Sequence, residues 1–411
     1  MNRVALSVSR GIARVADAAL GPYQSAVVRI GFAATWLLFL LREFPHRQEM
    51  YGPDGPWSWD LARQLIADNH AFTILMWSGS QVWFEAVYAL AVLSSALFLV
   101  GWRTRTMSVL FMVGVLSLQN RSVFMGDGGD NVIHLMAVYL VFTRCGQVWS
   151  LDARRERRAR AARARGERPR PDRAGPVLWG VLGLVLALAT GAGRLGAGWL
   201  AVYWGLWAVQ VLWWYVVRRA PDGEPRILLD VVANLVHNAA LLVIMAEACL
   251  IYSTAGWYKI QGSRWQDGTA VYYPLHLDSF SPWPALSDLL SAQGTIVLLV
   301  TYGTVAAQVA FPFTLFNRRV KNVLLACMMT EHAVIAVVLG LPFFSLAMIA
   351  ADAVFLPTSF LRRLGGWASR ARGRLAAGRV ARALPRPRPH RRPAEEPTEP
   401  AQAGSPGLSR T

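Results

Sequence analysis

Cysteine is scarce in this chain, and its three copies form no recognisable motif. Cys145, Cys249 and Cys327 all lie inside apolar segments, and the sequence has no CxxC pair. A disulfide framework needs several paired cysteines, and a zinc site needs closely spaced ones. We therefore interpret the three as small buried hydrophobic residues, which disfavours both disulfide and zinc chemistry.

Charged residues and soluble catalytic motifs are also sparse. Only 16% of the residues are charged, whereas 54% are hydrophobic and 17 are Trp. The sequence has no GxSxG elbow, no P-loop, no HExxH pair and no short-period repeat. Apolar runs of about 20 residues, the length of a membrane-crossing helix, are instead frequent. The chain is therefore predicted to be a polytopic membrane protein of the all-α class.

Ten apolar runs are predicted to be spans, and eight to ten is the defensible range. They cover residues 25–41, 84–102, 107–118, 131–149, 175–191, 196–217, 229–255, 289–314, 321–340 and 341–357. The predicted organisation is a cytoplasmic N-terminal segment (1–24), a transmembrane helical bundle (25–360) and a basic cytoplasmic tail (361–411). The N-terminal segment lacks the sustained apolar core of a signal peptide.

The basic residues behind the net charge of +17 are concentrated in two blocks, 154–173 and 362–392. Such a charge suits nucleic acid in a soluble protein, but arginines beside apolar spans mark the cytoplasmic side and attract anionic lipid. We therefore expect a lipid membrane, and no nucleic acid, as their partner. Neither block has an apolar face, so the linker 154–173 is predicted to be disordered or loosely helical and the tail disordered.

Five segments alternate with the arginine-bearing ones and are predicted to share the opposite, outer face. They are 42–83, 119–130, the turn near Arg194, 256–288 and 340–342. In the first of them, Trp57 and Trp59 belong to a predicted short interfacial helix. Tryptophan at this depth usually anchors a protein among lipid headgroups, and a lid over an outer cavity is the alternative.

A lysine in an aromatic setting follows the apolar run 229–255. Lys259 is flanked by Trp257, Tyr258, Trp265 and Tyr272 in AGWYKIQGSRWQDGTAVYY. A partly buried amine loses hydration and gives up its proton more readily, and a neutral amine can act as a base. The alternative is a structural lysine whose charge reaches the lipid headgroups.

A glycine-rich acidic turn precedes the run 131–149. Its sequence, GDGGDN, contains Asp127, Asp130 and Asn131. The turn lacks the spaced oxygen ligands and terminal Glu of an EF-hand, which disfavours Ca²⁺. Asp130 or Asn131 is predicted to cap the following helix by accepting from its first free N–H groups, and a contribution to an outer polar site is the alternative.

Ionisable residues inside membrane spans are costly and count as functional hypotheses. They are His134, His237, Glu247, Glu331, His332 and Asp352. Asn131 and His134 share one helix face, and Asn234, His237 and Asn238 share another. Such faces either hold helices together or line a polar cavity. Metal binding is disfavoured because no Met or Cys recurs at ligand spacing around the histidines.

Several of these segments resemble the horizontally transferred transmembrane (HTTM) family, the bacterial relatives of vitamin K-dependent gamma-carboxylase. The matching pieces are RIGFAATWLL, VGWRTR, NRSVFMGDGGDN through YLVFTRCGQVWSLDA, NLVHNAALLVIMAEACLIYSTAGWYKIQGSRWQDGTAVYY and EHAVIAVVLGLPFFSLAMIAADAVFLP. They spread over most of residues 25–357. The acidic-turn piece and the lysine-containing piece are the most specific.

The resemblance implies a role for Lys259 as the base that acts on a reduced vitamin K, a menaquinone-like hydroquinone. The family's lysine follows an Ala-Gly pair, as Lys259 follows Ala255 and Gly256. In that chemistry the cofactor, rather than the protein, supplies the strong base that removes a proton from a substrate glutamate. Cofactor contacts are then expected from Trp257, Tyr258, Trp265, His134 and His237.

This chain departs from the family pattern in three ways. The family has a doubled lysine where this chain has Tyr258 and Lys259, and the spacing from Lys259 to Trp265 is one residue longer. The large lumenal region that follows the membrane domain in the animal enzyme has no counterpart after residue 360. Fold resemblance alone does not establish activity.

Three functions are compatible with these observations. The first is a carboxylase-like membrane protein with an outer cavity for a quinone and Lys259 as its base. The second is a non-catalytic partner that binds or helps to mature an exported peptide, with Lys259 and the acidic turn as contacts. The third is a transporter with Glu247, Glu331 and Asp352 as a proton relay, although the sequence shows no inverted repeat.

Overall fold

The computed structural model describes residues 3–168 and 172–383, and every regular element in these ranges is helical. The α-helices are α1 (Arg3–Asp17), α2 (Pro22–Arg42), α3 (Arg47–Tyr51), α4 (Trp59–Asn69), α5 (Gln81–Val100), α6 (Thr104–Arg121), α7 (Gly128–Val141), α8 (Leu151–Ala164), α9 (Ala174–Gly191), α10 (Ala197–Arg219), α11 (Glu224–Gln261), α12 (Ser263–Gln266), α13 (Pro284–Ser291), α14 (Gly294–Ala310), α15 (Arg318–Val338), α16 (Pro342–Asp352) and α17 (Thr358–Ala383). Short 3₁₀ turns lie at Phe44–His46, Leu75–Trp77, Val123–Met125, Ala270–Tyr272, Pro274–His276, Asp278–Phe280, Phe311–Phe316 and Ala353–Phe355. The bundle below belongs to the compact unit that ends at Arg362.

Seven described helices are long and apolar enough to cross a membrane, or eight if the bent pair Pro342–Phe355 and Thr358–Ala371 forms one span. The seven are α2, α5, α9, α10, α11, α14 with its following 3₁₀ turn, and α15. The chain is therefore a polytopic helical membrane protein, as its apolar runs predict.

Two of the ten predicted spans do not meet these criteria. The run predicted at 131–149 is helical only through Val141, and α6, predicted at 107–118, is not apolar enough because it includes Arg105 and Arg121. The side chains of α6 are largely buried by neighbouring helices, which removes the need for an apolar surface towards lipid. The predicted range of eight to ten spans therefore agrees with the structure only if the bent pair counts as the eighth span.

The turn between α6 and α7 reaches the segment 42–83. Arg121 is fully buried and donates hydrogen bonds to the carbonyl oxygens of Gly52 and Trp57, both at 2.9 Å. From the same segment, the Phe72 ring lies 4.9 Å from that of Trp199, near the start of α10. Three of the segments predicted to share the outer face therefore meet at one end of the bundle.

The turn between α15 and α16 joins this same end. The Arg42 guanidinium, at the end of α2, lies 5.4 Å from the centre of the Phe343 ring. A Cβ atom on Gly340 would lie 3.1 Å from Pro282, so the segment 256–288 packs there as well. We call this the outer end, after the predicted topology, and the opposite one the arginine-rich end.

A buried arginine organises the arginine-rich end. Arg29 of α2 donates to the carbonyl oxygens of Phe98 and Leu99, at the end of α5, and to that of Trp149 at 2.8 Å. The last carbonyl groups of a helix have no partner within the helix. Arg29 therefore acts as a side-chain cap that joins three parts of the chain.

The arginine-rich segments are more helical than predicted. Residues 151–164 form α8, which Ser150 caps by accepting from the Ala153 N–H. The prediction of a disordered tail is wrong for residues 361–383, which belong to α17, while residues 169–171 and 384–411 lie outside the described part. Arginine, alanine and leucine are good helix formers, and the prolines of the tail begin only at Pro385.

Candidate functional site

Lys259 lies in the last turn of α11, and its amine points towards α14. The Nζ atom donates to the Oε1 atom of Gln308 over 2.8 Å and lies 5.1 Å from the centre of the Trp265 ring. The side chain is half-buried. A protein acceptor and an indole face therefore fix the amine, so it does not extend freely towards lipid headgroups.

Gln308 connects the lysine to a carboxylate on a third helix. Its Nε2 group donates to the Oε1 atom of Glu331 in α15 over 3.0 Å, and Thr304 is a further hydrogen-bond partner of this carboxylate. Gln308 is only 5% exposed. We call Lys259, Gln308 and Glu331 the Lys259 cluster.

Gly256 allows α11 and α14 to approach closely enough for this contact. A Cβ atom at Gly256 would lie 2.7 Å from the Cγ2 atom of Val309, which is closer than van der Waals contact permits. Because Val309 follows Gln308 directly, this contact sets the height at which the amide faces Lys259. Gly256 thus has a packing role one helical turn before the lysine.

A second polar cluster lies about two turns earlier in α11, around Tyr252. The Tyr252 hydroxyl lies 2.9 and 3.0 Å from the two carboxylate oxygens of Asp352 in α16, and 3.1 Å from the Nε2 atom of His332 in α15. The three side chains are 0–2% exposed. We call them the Tyr252 cluster; Glu331 and His332 are adjacent in α15, so the two clusters are neighbours.

Aromatic rings surround the Tyr252 cluster. Phe311 contacts Tyr252 at a centroid distance of 5.5 Å, and Phe344 contacts His332 at 5.6 Å. Phe355 in turn contacts Phe311 at 5.1 Å. An apolar enclosure of this kind excludes water and strengthens every electrostatic interaction within it.

The structure separates the aromatic residues around Lys259. Trp265 lies beside the amine, but Trp257 and Tyr258 are 62% and 73% exposed, on other faces of α11. These two side chains therefore face the surroundings of the bundle rather than the Lys259 cluster.

The acidic turn forms a helix cap with two reciprocal contacts. Asp127 accepts from the N–H groups of Gly129 and Asp130, while the Asp130 carboxylate accepts from the Asp127 N–H at 2.9 Å. Asn131, also predicted as a possible cap, is exposed. The turn does cap the helix, but the cap residue is Asp127 rather than the predicted Asp130 or Asn131, and Asp130 completes the cap from the third helical position.

His134 and Asp130 are joined through α6. The Nδ1 atom of His134 lies 3.1 Å from the Oε1 atom of Gln119, whose Nε2 group donates to the Asp130 carbonyl at 3.0 Å. Burial raises the pKa of Asp130, in the turn before the apolar part of α7, to about 6. No hydrogen bond links this group to Lys259 within the described residues.

A cavity of about 150 Å³ opens beside the acidic turn at the outer end. Its polar lining comes from Arg42, Asp127 and Asp130, and its apolar lining includes Phe39 and Phe344. Phe344 also contacts His332, so its ring touches both this cavity and the Tyr252 cluster.

His237 and Asn238 lie at the arginine-rich end, about 33 Å along α11 from Lys259 at the usual helical rise. The Nδ1 atom of His237 accepts from the Arg144 N–H, and its Nε2 atom lies 2.8 Å from the Leu20 carbonyl. Asn238 donates to Val15 and accepts from the Leu20 N–H. These residues attach α1 and the following turn to α11.

Glu247 is half-buried in α11, and its charge acts on Tyr139 of α7. It belongs to neither polar cluster. Within residues 3–168 and 172–383, no group of three or more His, Cys, Asp or Glu side chains is arranged to hold a metal ion.

The sequence search for ionisable residues missed Gln308 and Tyr252, each of which connects the other two side chains of its cluster. The available signal was a lone Gln in the apolar run TIVLLVTYGTVAAQVAF. Comparisons of the chain with protein-family models, curated proteins and solved structures find no match. Fold and site together define a polytopic helical membrane protein with two adjoining polar clusters inside its bundle.

Proposed function

We propose that this protein is a carboxylase-like membrane enzyme in which Lys259 acts as the base towards a quinone-type cofactor. The observation that supports the proposal is the contact from Lys259 through Gln308 to Glu331. A lysine that only anchored the helix end would extend to the headgroups. Here the amine is turned inwards, towards a buried amide.

The neighbours of Lys259 suit an amine that changes its protonation state. Gln308 accepts one N–H in the charged or the neutral form, because both forms are donors. Glu331 lies beyond the amide, so its negative charge supports the ammonium form without a direct ion pair. The lysine therefore has a fixed position in both states, which general base catalysis requires.

The residues around Lys259 fit a quinone ring. The amine can accept a phenolic proton, and the Trp265 indole offers an apolar face to a planar ring. When bound, a reduced quinone would supply the strong base that a lysine cannot provide.

The HTTM resemblance supports the same assignment. Lys259 follows Ala255 and Gly256 as the family's lysine follows its Ala-Gly pair, and Gly256 has a packing role in this chain. Tyr258 stands where the family has a second lysine, and its 73% exposure turns it away from Gln308. One lysine must therefore suffice.

The proposal is tested by native mass spectrometry of the full chain, purified in mild detergent, with extraction of bound lipids. We expect a quinone on the wild type and at least a tenfold loss on Lys259→Ala, the effect of about 1.4 kcal/mol of binding. Lys321→Ala is the matched control, because Lys321 is the other lysine of the chain and lies at the arginine-rich end of α15. This control should retain the quinone.

A Lys259→Arg variant separates catalysis from charge. Arginine keeps the positive charge but cannot act as a neutral base. Loss of oxygen-dependent glutamate carboxylation in this variant, with quinone still bound, would support the base. Phospholipid alone on every variant, together with full function of Lys259→Arg, would reject the enzyme and favour a non-catalytic partner of an exported peptide.

A further inference from the structure

The Tyr252 cluster places an acid, a phenol and an imidazole in one line inside the bundle. Tyr252 is central, with Asp352 on one side at 2.9 Å and His332 on the other at 3.1 Å. The proposed role of Lys259 makes no use of these three groups. Ionisable groups inside a membrane protein usually mark a proton or ion pathway.

The hydrogen-bond pattern admits two proton arrangements. A phenol has one proton to donate. When Asp352 is ionised, Tyr252 donates to it and the Nε2–H group of His332 donates to the phenol oxygen. When Asp352 is protonated, it donates to the phenol oxygen and Tyr252 donates to Nε2. Both arrangements satisfy the same observed distances.

One atom of the cluster is left free to exchange a proton. The Nδ1 atom of His332 is buried and has no hydrogen-bond partner in the part of the chain that the structure describes. The imidazole ring is 2% exposed and packs against Phe344, which also lines the 150 Å³ cavity. That volume holds several water molecules, and Arg42, Asp127 and Asp130 supply their polar partners.

We propose that Tyr252, His332 and Asp352 form a one-proton relay that is loaded from the cavity beside Phe344. A proton from water in the cavity adds to Nδ1 of His332. The Nε2–H proton passes to the phenol oxygen, and the original phenol proton passes to the Asp352 carboxylate. Three bonds to hydrogen form and three break, counting the O–H bond of the hydronium ion that delivers the proton in the cavity. No electron is transferred, and the cluster changes from one negative charge to none.

The surrounding charges determine how readily the relay loads. Glu331 and Cys249 lie near Asp352, and Lys259 lies near His332. The neutral, loaded form avoids an unpaired negative charge in an apolar enclosure. The relay is a property of α11, α15 and α16 and does not depend on Lys259 acting as a base.

The relay is tested by infrared spectroscopy of the full chain in lipid nanodiscs on transfer from H₂O to D₂O. We expect a protonated carboxyl band that Asp352→Asn removes and Glu247→Gln leaves unchanged, because Glu247 is an α11 carboxyl outside the cluster. Tyr252→Phe should keep the band but slow its deuteration about a hundredfold, the low end of what a positioned proton donor contributes.

A third variant tests the entry route. Phe344→Ala removes the ring that contacts both the cavity lining and the imidazole, so deuteration of the band should become faster than in the wild type. Thermal unfolding and size-exclusion profiles identify any variant that fails to fold. An Asp352-independent band, or equal deuteration rates in Tyr252→Phe, Phe344→Ala and wild type, would overturn the relay.

Discussion

At the residue scale, the functional geometry depends on small groups as much as on charged ones. Gln308 and Tyr252 carry no charge at neutral pH, yet each connects side chains from two other helices. Gly256 has no side chain, and this lets α11 approach α14 closely enough for Lys259 to reach Gln308. A site inside a helical bundle therefore depends on uncharged linking residues and on small residues at the helix contacts, as well as on its charged groups.

Gly256→Ala tests this packing argument. In an open helix the change would stabilise by about 1 kcal/mol, but a Cβ only 2.7 Å from Val309 forces α11 and α14 apart. Overpacking costs about 1–3 kcal/mol. We expect lower thermal stability in detergent and weaker quinone retention.

Gly303→Ala is the matched control for this change. Gly303 lies in α14, and a Cβ there would meet no atom within 4 Å. This variant should be at least as stable as the wild type. Equal stability of the two glycine variants would show that the α11–α14 contact does not constrain the site.

At the element scale, the segment before α9 is fixed by an ion pair at the arginine-rich end. Asp172 accepts two hydrogen bonds from Arg103 and one from the Gly175 N–H. The Arg103 contact lowers the pKa of Asp172 to about 2. The carboxylate is 39% exposed, so solvent screening limits the contribution to under about 1 kcal/mol.

The pH dependence of this pair follows from the lowered pKa. The stabilisation is fully present above the unfolded value of 3.8 and is lost as pH falls towards about 2. We expect the stability difference between wild type and Asp172→Asn to be constant at neutral and mildly acidic pH and to vanish near the folded pKa. A difference that grows on acidification would contradict the ion pair.

The sequence predicts helices better than it predicts their environment. Hydropathy identifies α2, α5 and α11 because lipid demands an apolar surface over about 20 residues. It fails for α6, where the Nη2 group of Arg121 donates to the carbonyl oxygens of Gly52 and Trp57, far away in sequence. The same limit applies to the site. Lys259, Glu331 and His332 are found as ionisable residues, but their grouping depends on how α11, α14 and α15 pack.

At the scale of the whole molecule, the polar residues divide between places that hold the bundle together and places that can do chemistry. His237 and Asn238 use their polar atoms to attach the N-terminal segment at the arginine-rich end. The two central clusters lie further along α11, where His332 retains an unpartnered nitrogen in the described structure. The long helix α11 contributes to both, so its position couples the N-terminal attachment to the site.

The orientation of this arrangement in the membrane follows from its charge. Arginines at one end predict that it faces the cytoplasm. With eight spans, both termini lie on that side. The same holds for ten spans, because α6 and α7 would together add two crossings.

A membrane-impermeant maleimide applied to intact cells tests this orientation. It should label a cysteine at Asn69, which is exposed in α4 at the outer end, and should not label one at Arg160, which is exposed in α8. The background is a variant in which Cys249 and Cys327 are serine.

A third cysteine, at Phe124, decides whether α6 and α7 cross the membrane. Phe124 is 71% exposed in the turn between them, three residues after Arg121, whose guanidinium contacts the segment that precedes α5. We therefore expect the Phe124 position to be labelled together with Asn69. Labelling of Asn69 alone would place the α6–α7 turn below the membrane surface, and labelling at Arg160 would reverse the topology and turn the cavity beside Phe344 towards the cytoplasm.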